Sequence, residues 1–408
     1  MPALTVILFL GSCEEDPAVP DQRFIAADRL IESALTDSLM AGAVLLAGNA
    51  EGILYHQSYG YATIYKADNQ PLQVPEVMTP GHLFDIASLS KIFATTYGLM
   101  LLHSRGLLDV DEPLSDYIQE FDTEEKRDIT IRHLLTHSSG LIQWFPTYYT
   151  ATNPKERLEF VSGEPLIGDI GVQRRYSDPG FMVLADLIET ITGESFEGFL
   201  EREIYRPLGL SSTLFNPDPE NFPNIAATSY GNPFEKKMVY DDDFGYTVDV
   251  DPEAWDGWRD YVLRGEVNDG NAYHTHGGVA GHAGLFSTAD ELYRLASLLL
   301  TAGRYDDLQL FAPDTIGTFL TPDRFGHGLG FMMEAGSLHA AELPDGSFGH
   351  TGFTGTNFVI IPEKDLIIIL LANRQHFGVD KDGYYPDLRE LRSGVIAAII
   401  DGVDEVTM

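Results

Sequence analysis

The sequence predicts an α+β fold in which one antiparallel sheet is built from both ends of the chain and a mostly helical part is inserted between them. Apolar, β-branched runs stand near both termini: Gly42 to Leu46 and Ile53 to Tyr61 at one end, Phe358 to Ile361 and Leu366 to Leu371 at the other. The region between, roughly 105 to 325, carries mostly helical or irregular signals. Strands from distant chain segments with helices between them pack as one sheet covered by helices.

Taken in order, Phe24 to Leu39 has apolar residues at helical spacing, with Ile25, Leu30, Ile31, Ala34 and Leu35 on one face. The two strands that follow are joined by the turn Gly48 to Gly52. A helix is expected from Ser88 to His103, stopping before Gly106, another from Phe181 to Thr192, stopped by Gly193, and a third from Ala289 to Leu300, before Gly303. Residues 217 to 275 are rich in Pro, Asn, Asp and Gly, which predicts an elaborated loop region where substrate contacts often lie. A further strand is expected around Leu329 to Met333. Pro362 to Asp365 joins the two late strands, and Leu388, Leu391, Val395 and Ile399 mark a closing helix.

Composition narrows the partners. At 408 residues, 44% hydrophobic and 22% charged, the chain has the make-up of a globular protein with a large core. Lys plus Arg total 26 against 62 Asp plus Glu, a formal net charge of −36. Such a surface repels phosphates and anionic headgroups, which argues against nucleic acid and anionic lipid surfaces as partners. The one cysteine, Cys13, allows no intrachain disulfide. It closes Leu10-Gly11-Ser12-Cys13 after the apolar run Thr5 to Leu10, too short to span a bilayer but suited to a signal-peptide core. This stretch resembles the lipobox of bacterial lipoproteins, which implies cleavage before Cys13, lipidation there, and an envelope location outside the cytoplasm. Residues 1–23 are then signal, lipobox and tether, and the lipid anchor is the only expected membrane contact.

Three motifs carry chemistry. In Ser88-Leu89-Ser90-Lys91, residues three apart on a helix share a face, so the lysine reaches back to the serine hydroxyl. Helix N-terminal amides favour developing negative charge there, and a lysine neutralised by its surroundings can accept the serine proton. In Tyr176-Ser177-Asp178-Pro179-Gly180, just before a helix, the tyrosine can serve as a proton relay; the bland reading is a turn with a half-buried ring. In His350-Thr351-Gly352-Phe353, opening the Phe358 strand, glycine allows close backbone approach and the amides can serve as an oxyanion hole.

In order and rough spacing these motifs resemble the serine β-lactamase-related superfamily, closest to class C β-lactamases, D-alanyl-D-alanine carboxypeptidases and related esterases; Ser-x-x-Lys is its known signature. The resemblance covers about residues 24 to 402 and extends to Ile131 to Leu141, Pro207 to Leu210, Leu371 to Arg374, and Asn268 to Tyr273 with Gly277 to Thr288. It implies a β-lactamase/transpeptidase-like fold, a single catalytic domain over 24–402, with the sheet part at about 24–105 and 325–402 and the helical part and loops at about 106–324. It implies Ser88 as acylated nucleophile, Lys91 as its activator and Tyr176 as proton shuttle. The amides of Ser88 and Phe353 become the oxyanion hole, and Asp178, His350, Thr351 and Gly352 bind substrate. No cofactor and no metal are called for.

Two departures shape the expected function. Lactamases of the superfamily usually carry Asn where this chain has Asp178, and Lys-Thr-Gly where it has His350-Thr351-Gly352. A histidine is only partly charged near neutrality, and the aspartate adds negative charge. Both disfavour an anionic substrate, so the expectation is an acyl-enzyme hydrolase of esters or amides, peptidoglycan-related or small. The alternatives are a β-lactamase proper and a non-catalytic peptidoglycan-binding envelope protein, the second disfavoured by an intact Ser88, Lys91 and Tyr176. A zinc site from His274, His276 and His282 requires the first two to alternate along a strand, and no His-Glu-x-x-His motif supports it.

Overall fold

The computed structural model describes residues 22–407, so the predicted signal segment and Cys13 lie outside the described residues. A six-stranded antiparallel sheet in the order β3-β2-β1-β11-β10-β9 organises the chain. It joins β1 (Gly42–Gly48), β2 (Ile53–Tyr65) and β3 (Pro71–Val77) from the N-terminal end to β9 (Phe348–Thr351), β10 (Asn357–Ile361) and β11 (Leu366–Ala372) from the C-terminal end. The ends meet where Val44 pairs with Leu371 and Leu45 with Leu370. Asn373 locks this seam: its Oδ1 accepts from the Gly42 amide at 2.7 Å, and its Nδ2 donates to the Tyr61 and Ala62 carbonyls.

The runs Gly42–Gly48 and Leu366–Ala372 are buried throughout, because both faces of the sheet are covered. Leu45, Ile368 and Leu370 face α1 (Ile25–Thr36) and α11 (Arg389–Thr407), packing with Ile31, Val395 and Ile399. Val44, Leu46, Ile369 and Leu371 face the other way, into the larger core with Phe93, Leu295 and Phe358. Each fully buried aliphatic side chain contributes roughly 1.5–3 kcal/mol.

The helical part comprises α2 (Tyr97–Ser104), α3 (Ile131–Leu135), α4 (Pro154–Gly163), α5 (Asp178–Thr192), α6 (Phe196–Leu200), α7 (Pro233–Tyr240), α8 (Gly270–His276), α9 (Ala289–Leu300) and α10 (Pro313–Phe319). Helix α5 starts where the Ser177 hydroxyl accepts from the Gly180 amide at 3.2 Å, and ends at Gly193 with φ 70°. A small sheet, β4 (Phe84–Asp85), β5 (Leu214–Phe215) and β6 (Leu285–Ser287), ties the segment before Ser88 to the later glycine-rich loop. The hairpin β7 (Arg304–Tyr305) and β8 (Leu308–Gln309) completes the strands.

Several expectations are corrected. The stretch Leu329 to Met333 is not a strand; only Met332 bridges, to His327 and Gly349. The strand beside β10 is β9, so His350 and Thr351 end their own edge strand instead of opening the Phe358 strand. Edge strand β3, mostly exposed and holding two prolines, gives no apolar alternation to read. The region 217 to 275 contains α7 and α8. His274 and His276 lie in α8, which removes the strand geometry a shared zinc required. The helix after Ser88 is not a plain α-helix: a 3-10 turn, Ala87–Leu89, leads into a π turn, Lys91–Thr96, before α2.

Candidate active site

Ser88 follows β4 through a turn whose backbone is held on every side. The Ile86 amide donates to the Leu285 carbonyl at 3.1 Å. Asp85 accepts from the Ala87 amide at 2.9 Å and the Asn268 amide at 2.6 Å. Thr354 and Thr356 donate to the Asp85 and Ile86 carbonyls at 2.7 and 3.0 Å. Ala87, a non-glycine residue, is thereby kept at φ 47°. Such a conformation costs roughly 1–3 kcal/mol and persists only where surrounding bonds impose it.

Lys91 is fully buried; its ammonium donates to Ser88 Oγ at 3.0 Å and the His282 carbonyl at 3.1 Å, and forms an ion pair with Asp178 Oδ1 at 2.7 Å. Burial alone pulls its pKa down, but the Asp178 carboxylate and the Tyr176 hydroxyl outweigh it and hold the group above the ordinary lysine value. This corrects the expectation of a neutralised amine: at rest Lys91 is an ammonium. The π turn places Lys91 beside Ser88 on the inner side, while Thr95 donates to the Gly281 carbonyl at 2.6 Å and Ser90 accepts from the Leu285 amide at 3.1 Å. The loop carrying His282 is therefore sewn along the same helical turn.

Tyr176 reaches both Ser88 and Lys91 with its hydroxyl. Burial raises its pKa more than Lys91 lowers it, so the group is a neutral phenol. Its ring packs on His137 at 4.3 Å between centroids. His137 holds φ 57°, accepts the Ser177 amide on Nδ1 at 3.0 Å and the Arg175 amide on its carbonyl at 2.8 Å, bracketing the tyrosine from both sides. This role was hidden in the sequence, where His137 is simply one member of a longer matching stretch.

At the end of β9, Gly352 comes against the Ser88 turn; a Cβ there would lie 2.1 Å from Thr356 Oγ1 and 2.6 Å from the Ile86 carbonyl. Only glycine admits that approach, which sets Phe353 at the mouth of the site. His350 differs from its expected role. It is buried, its Nδ1 lies 2.8 Å from the Thr351 carbonyl, and burial together with Lys91 pushes its pKa down to about 3, so it is neutral instead of partly charged.

A cavity of about 470 Å³ opens over Ser88, lined also by Tyr176, Asp178 and Phe353. The expected substrate residues His350, Thr351 and Gly352 are not among those lining it. Sequence reasoning missed the lining carboxylates Asp85, Glu235 and Asp269, which come from separate segments without any common motif. Among the described residues no group of three or more His, Cys, Asp or Glu forms a metal cage, and no helix is long and apolar enough to cross a membrane.

The chain is 31% identical over 368 residues to an N-acetylmuramyl-L-alanine amidase of Bacillus subtilis (strain 168), covering 86% of this chain and 80% of that protein. It is 31% identical over 379 residues to an Escherichia coli (strain K12) protein provisionally named a D-alanyl-D-alanine carboxypeptidase, covering 87% and 83%. A class C β-lactamase from Rhodobacter sphaeroides superposes with a TM-score of 0.65 at 19% identity, over 94% of this chain and 99% of that one, which establishes the shared fold. The β-lactamase family model matches residues 27–391, and the chain belongs to the β-lactamase family of serine hydrolases.

Proposed function

We propose that the protein hydrolyses esters or amides through an acyl-enzyme on Ser88, acting on peptidoglycan-related or small ester substrates. The observation that carries this reading is the continuous line Ser88 Oγ, Lys91 Nζ, Asp178 Oδ1, with separations of 3.0 and 2.7 Å. As Ser88 attacks the carbonyl, Lys91 takes the hydroxyl proton and passes one of its own to the Asp178 carboxylate. Tyr176 protonates the leaving oxygen or nitrogen and recovers its proton from Lys91, which is resupplied by Asp178. Water then attacks the acyl group, its proton follows the same line, and Ser88 leaves reprotonated. The amides of Ser88 and Phe353 receive the oxyanion.

The relatives named for cell-wall amide chemistry support peptidoglycan as the source of substrate. The neutral His350 and the pairing of Lys91 with Asp178 offer a β-lactam carboxylate little positive charge, which supports ranking ester and amide hydrolysis above efficient β-lactam hydrolysis. We read residues 24–402 as one catalytic unit with the site between its sheet and helical parts, delivered to the envelope by lipidation at Cys13. Replacing Cys13 with Ala is expected to move the protein from the membrane fraction to the soluble one; unchanged fractionation removes the anchor.

Incubating wild type and Ser88→Ala with a fluorophosphonate, a penicillin and a short-chain activated ester, followed by intact-protein mass spectrometry, tests the chemistry. The expected result is an adduct in wild type that is absent from the variant, with turnover of the ester. Retained hydrolysis in the variant sinks the mechanism, and no adduct with any reagent favours a non-catalytic binding protein.

A further inference from the structure

The cavity over Ser88 is lined by two unlike sets of side chains. One is apolar: Trp144, Phe234, Met238, Tyr246 and Phe353. The other is acidic: Asp85, Asp178, Glu235 and Asp269. Among the described residues no Lys or Arg lines the space, and Lys91, buried beside Ser88, is paired with Asp178.

The carboxylates are held by neutral donors. Asp85 has the two amides described above, and Glu235 accepts from the Tyr148 hydroxyl at 2.8 Å and the Gly270 amide at 3.0 Å. The guanidinium behind them, Arg259, turns its donors to Asn232 Oδ1 and the Val267 and Asn268 carbonyls. Burial and repulsion from Asp269 push Glu235 up to about 7 and Asp85 to about 6, more than Arg259 and the hydrogen bonds they accept lower them. Asp269 itself stays ionised, held well below the usual carboxylate range by His282 and the Ala272 amide despite its burial.

His282 supplies an independent pointer. It is 1% exposed and lines the cavity; its Nε2 meets Asp269 Oδ1 at 2.9 Å, while its Nδ1 has no partner among the described residues. A buried ring nitrogen left without a partner marks a polar position that a bound group can complete.

We propose that this cavity selects substrates bearing an ammonium group next to an apolar body, and rejects those bearing a free carboxylate there, with Glu235 and Asp269 as the specificity-determining residues. The inference rests on reading the Ser88 cavity as the substrate site. The ammonium adds positive charge beside these carboxylates and donates to them, while the apolar body lies against the aromatic side chains.

The test uses the full chain and matched probes. In titration calorimetry at 0.15 M salt, 2-phenylethylamine is expected to bind at least tenfold more tightly than 3-phenylpropionate. Glu235→Gln and Asp269→Asn should each shrink that preference severalfold, whereas Asp307→Asn, at an exposed loop, controls for general attraction to an acidic surface. Two carboxylate variants guard against misfolding of either one. Equal binding of the two probes, or a loss in Asp307→Asn as large as in Glu235→Gln, overturns the proposal. In parallel, phenylalanine p-nitroanilide with a free amine should exceed its N-succinyl form at least tenfold in kcat/KM. Ester turnover without any amine preference overturns this inference and keeps the hydrolase; amine-selective binding with no hydrolysis of any probe removes the hydrolase and keeps the selective cavity.

Discussion

Replacing Asp178 with Asn removes the anion 2.7 Å from a fully buried ammonium while leaving the side chain's shape almost unchanged. Breaking a buried ion pair by deleting one partner costs about 3–5 kcal/mol, because the other charge is stranded. Lys91 can limit the cost by giving up its proton, since burial is then the largest influence left on it and favours the neutral amine. In wild type the folded pKa lies above the unfolded one, so the stabilisation from this pair is complete below the ordinary lysine value and fades only as pH rises through the raised folded value. In the variant the order reverses. The folded state binds fewer protons than the unfolded one, and stability climbs with pH by up to about 1.4 kcal/mol per unit until roughly pH 10. Thermal denaturation of both proteins from pH 6 to 9 should therefore show a gap of about 3 kcal/mol that narrows as pH rises. At roughly 2–4 °C per kcal/mol, an upper figure for a chain this long, that gap is about 6–12 °C. Ester hydrolysis should fall about 10²–10⁴-fold at pH 7, the range for loss of a general base. It should recover partly at pH 9, where a neutral Lys91 takes the serine proton directly. A gap independent of pH, or full activity at pH 7, refutes both the charged resting lysine and the proton line through Asp178.

Binding of 2-phenylethylamine should strengthen between pH 5.5 and 7.5, because Asp85 ionises at about 6 and Glu235 at about 7 and only their charged forms attract the ammonium. Calorimetry at three pH values checks this, and an affinity flat with pH contradicts it. Gly352→Ala should abolish acylation by the fluorophosphonate while the protein still folds, since a Cβ 2.1 Å from Thr356 Oγ1 must push the edge of β9 away from the Ser88 turn. Labelling at the wild-type rate would show that this close approach is dispensable.

The sheet was legible because its central strands are apolar on both sides, so Phe358 to Ile361 and Leu366 to Leu371 stand out against any background. Strand β3 was not, since an exposed edge needs neither alternation nor β-branched residues and tolerates proline. Ser88 and Lys91 stood out through spacing, as local geometry brings a serine and a lysine three residues apart onto one face even across a π turn, whereas Tyr176 was singled out only by the family resemblance. The protonation of that lysine was not, because it depends on a carboxylate that the fold brings from 87 positions further along the chain, at Asp178. Glu235 and Asp269 escaped, and His282 was weighed only as a zinc ligand, for the same reason: α7, α8 and the glycine-rich loop meet only in three dimensions, and no spacing rule links them.

The two departures from the lactamase pattern act together once the geometry is known. A lysine at the position of His350 brings a positive charge to the site, whereas the buried imidazole, at about 3, brings none. With asparagine at the position of Asp178, burial favours the neutral Lys91 amine, whereas the aspartate holds it as a compensated ammonium. On the proposed mechanism, stabilisation of a developing oxyanion then falls chiefly to donors that cannot be neutralised. Backbone amides fit that role: the Ser88 turn is clamped by Asp85, Thr354 and Thr356, and glycine at 352 lets the second strand approach. Amide donors fixed in place need no reorganisation as charge develops. On the proposed mechanism, oxyanion stabilisation rests on backbone geometry, which leaves side-chain charge free to vary and to select what enters.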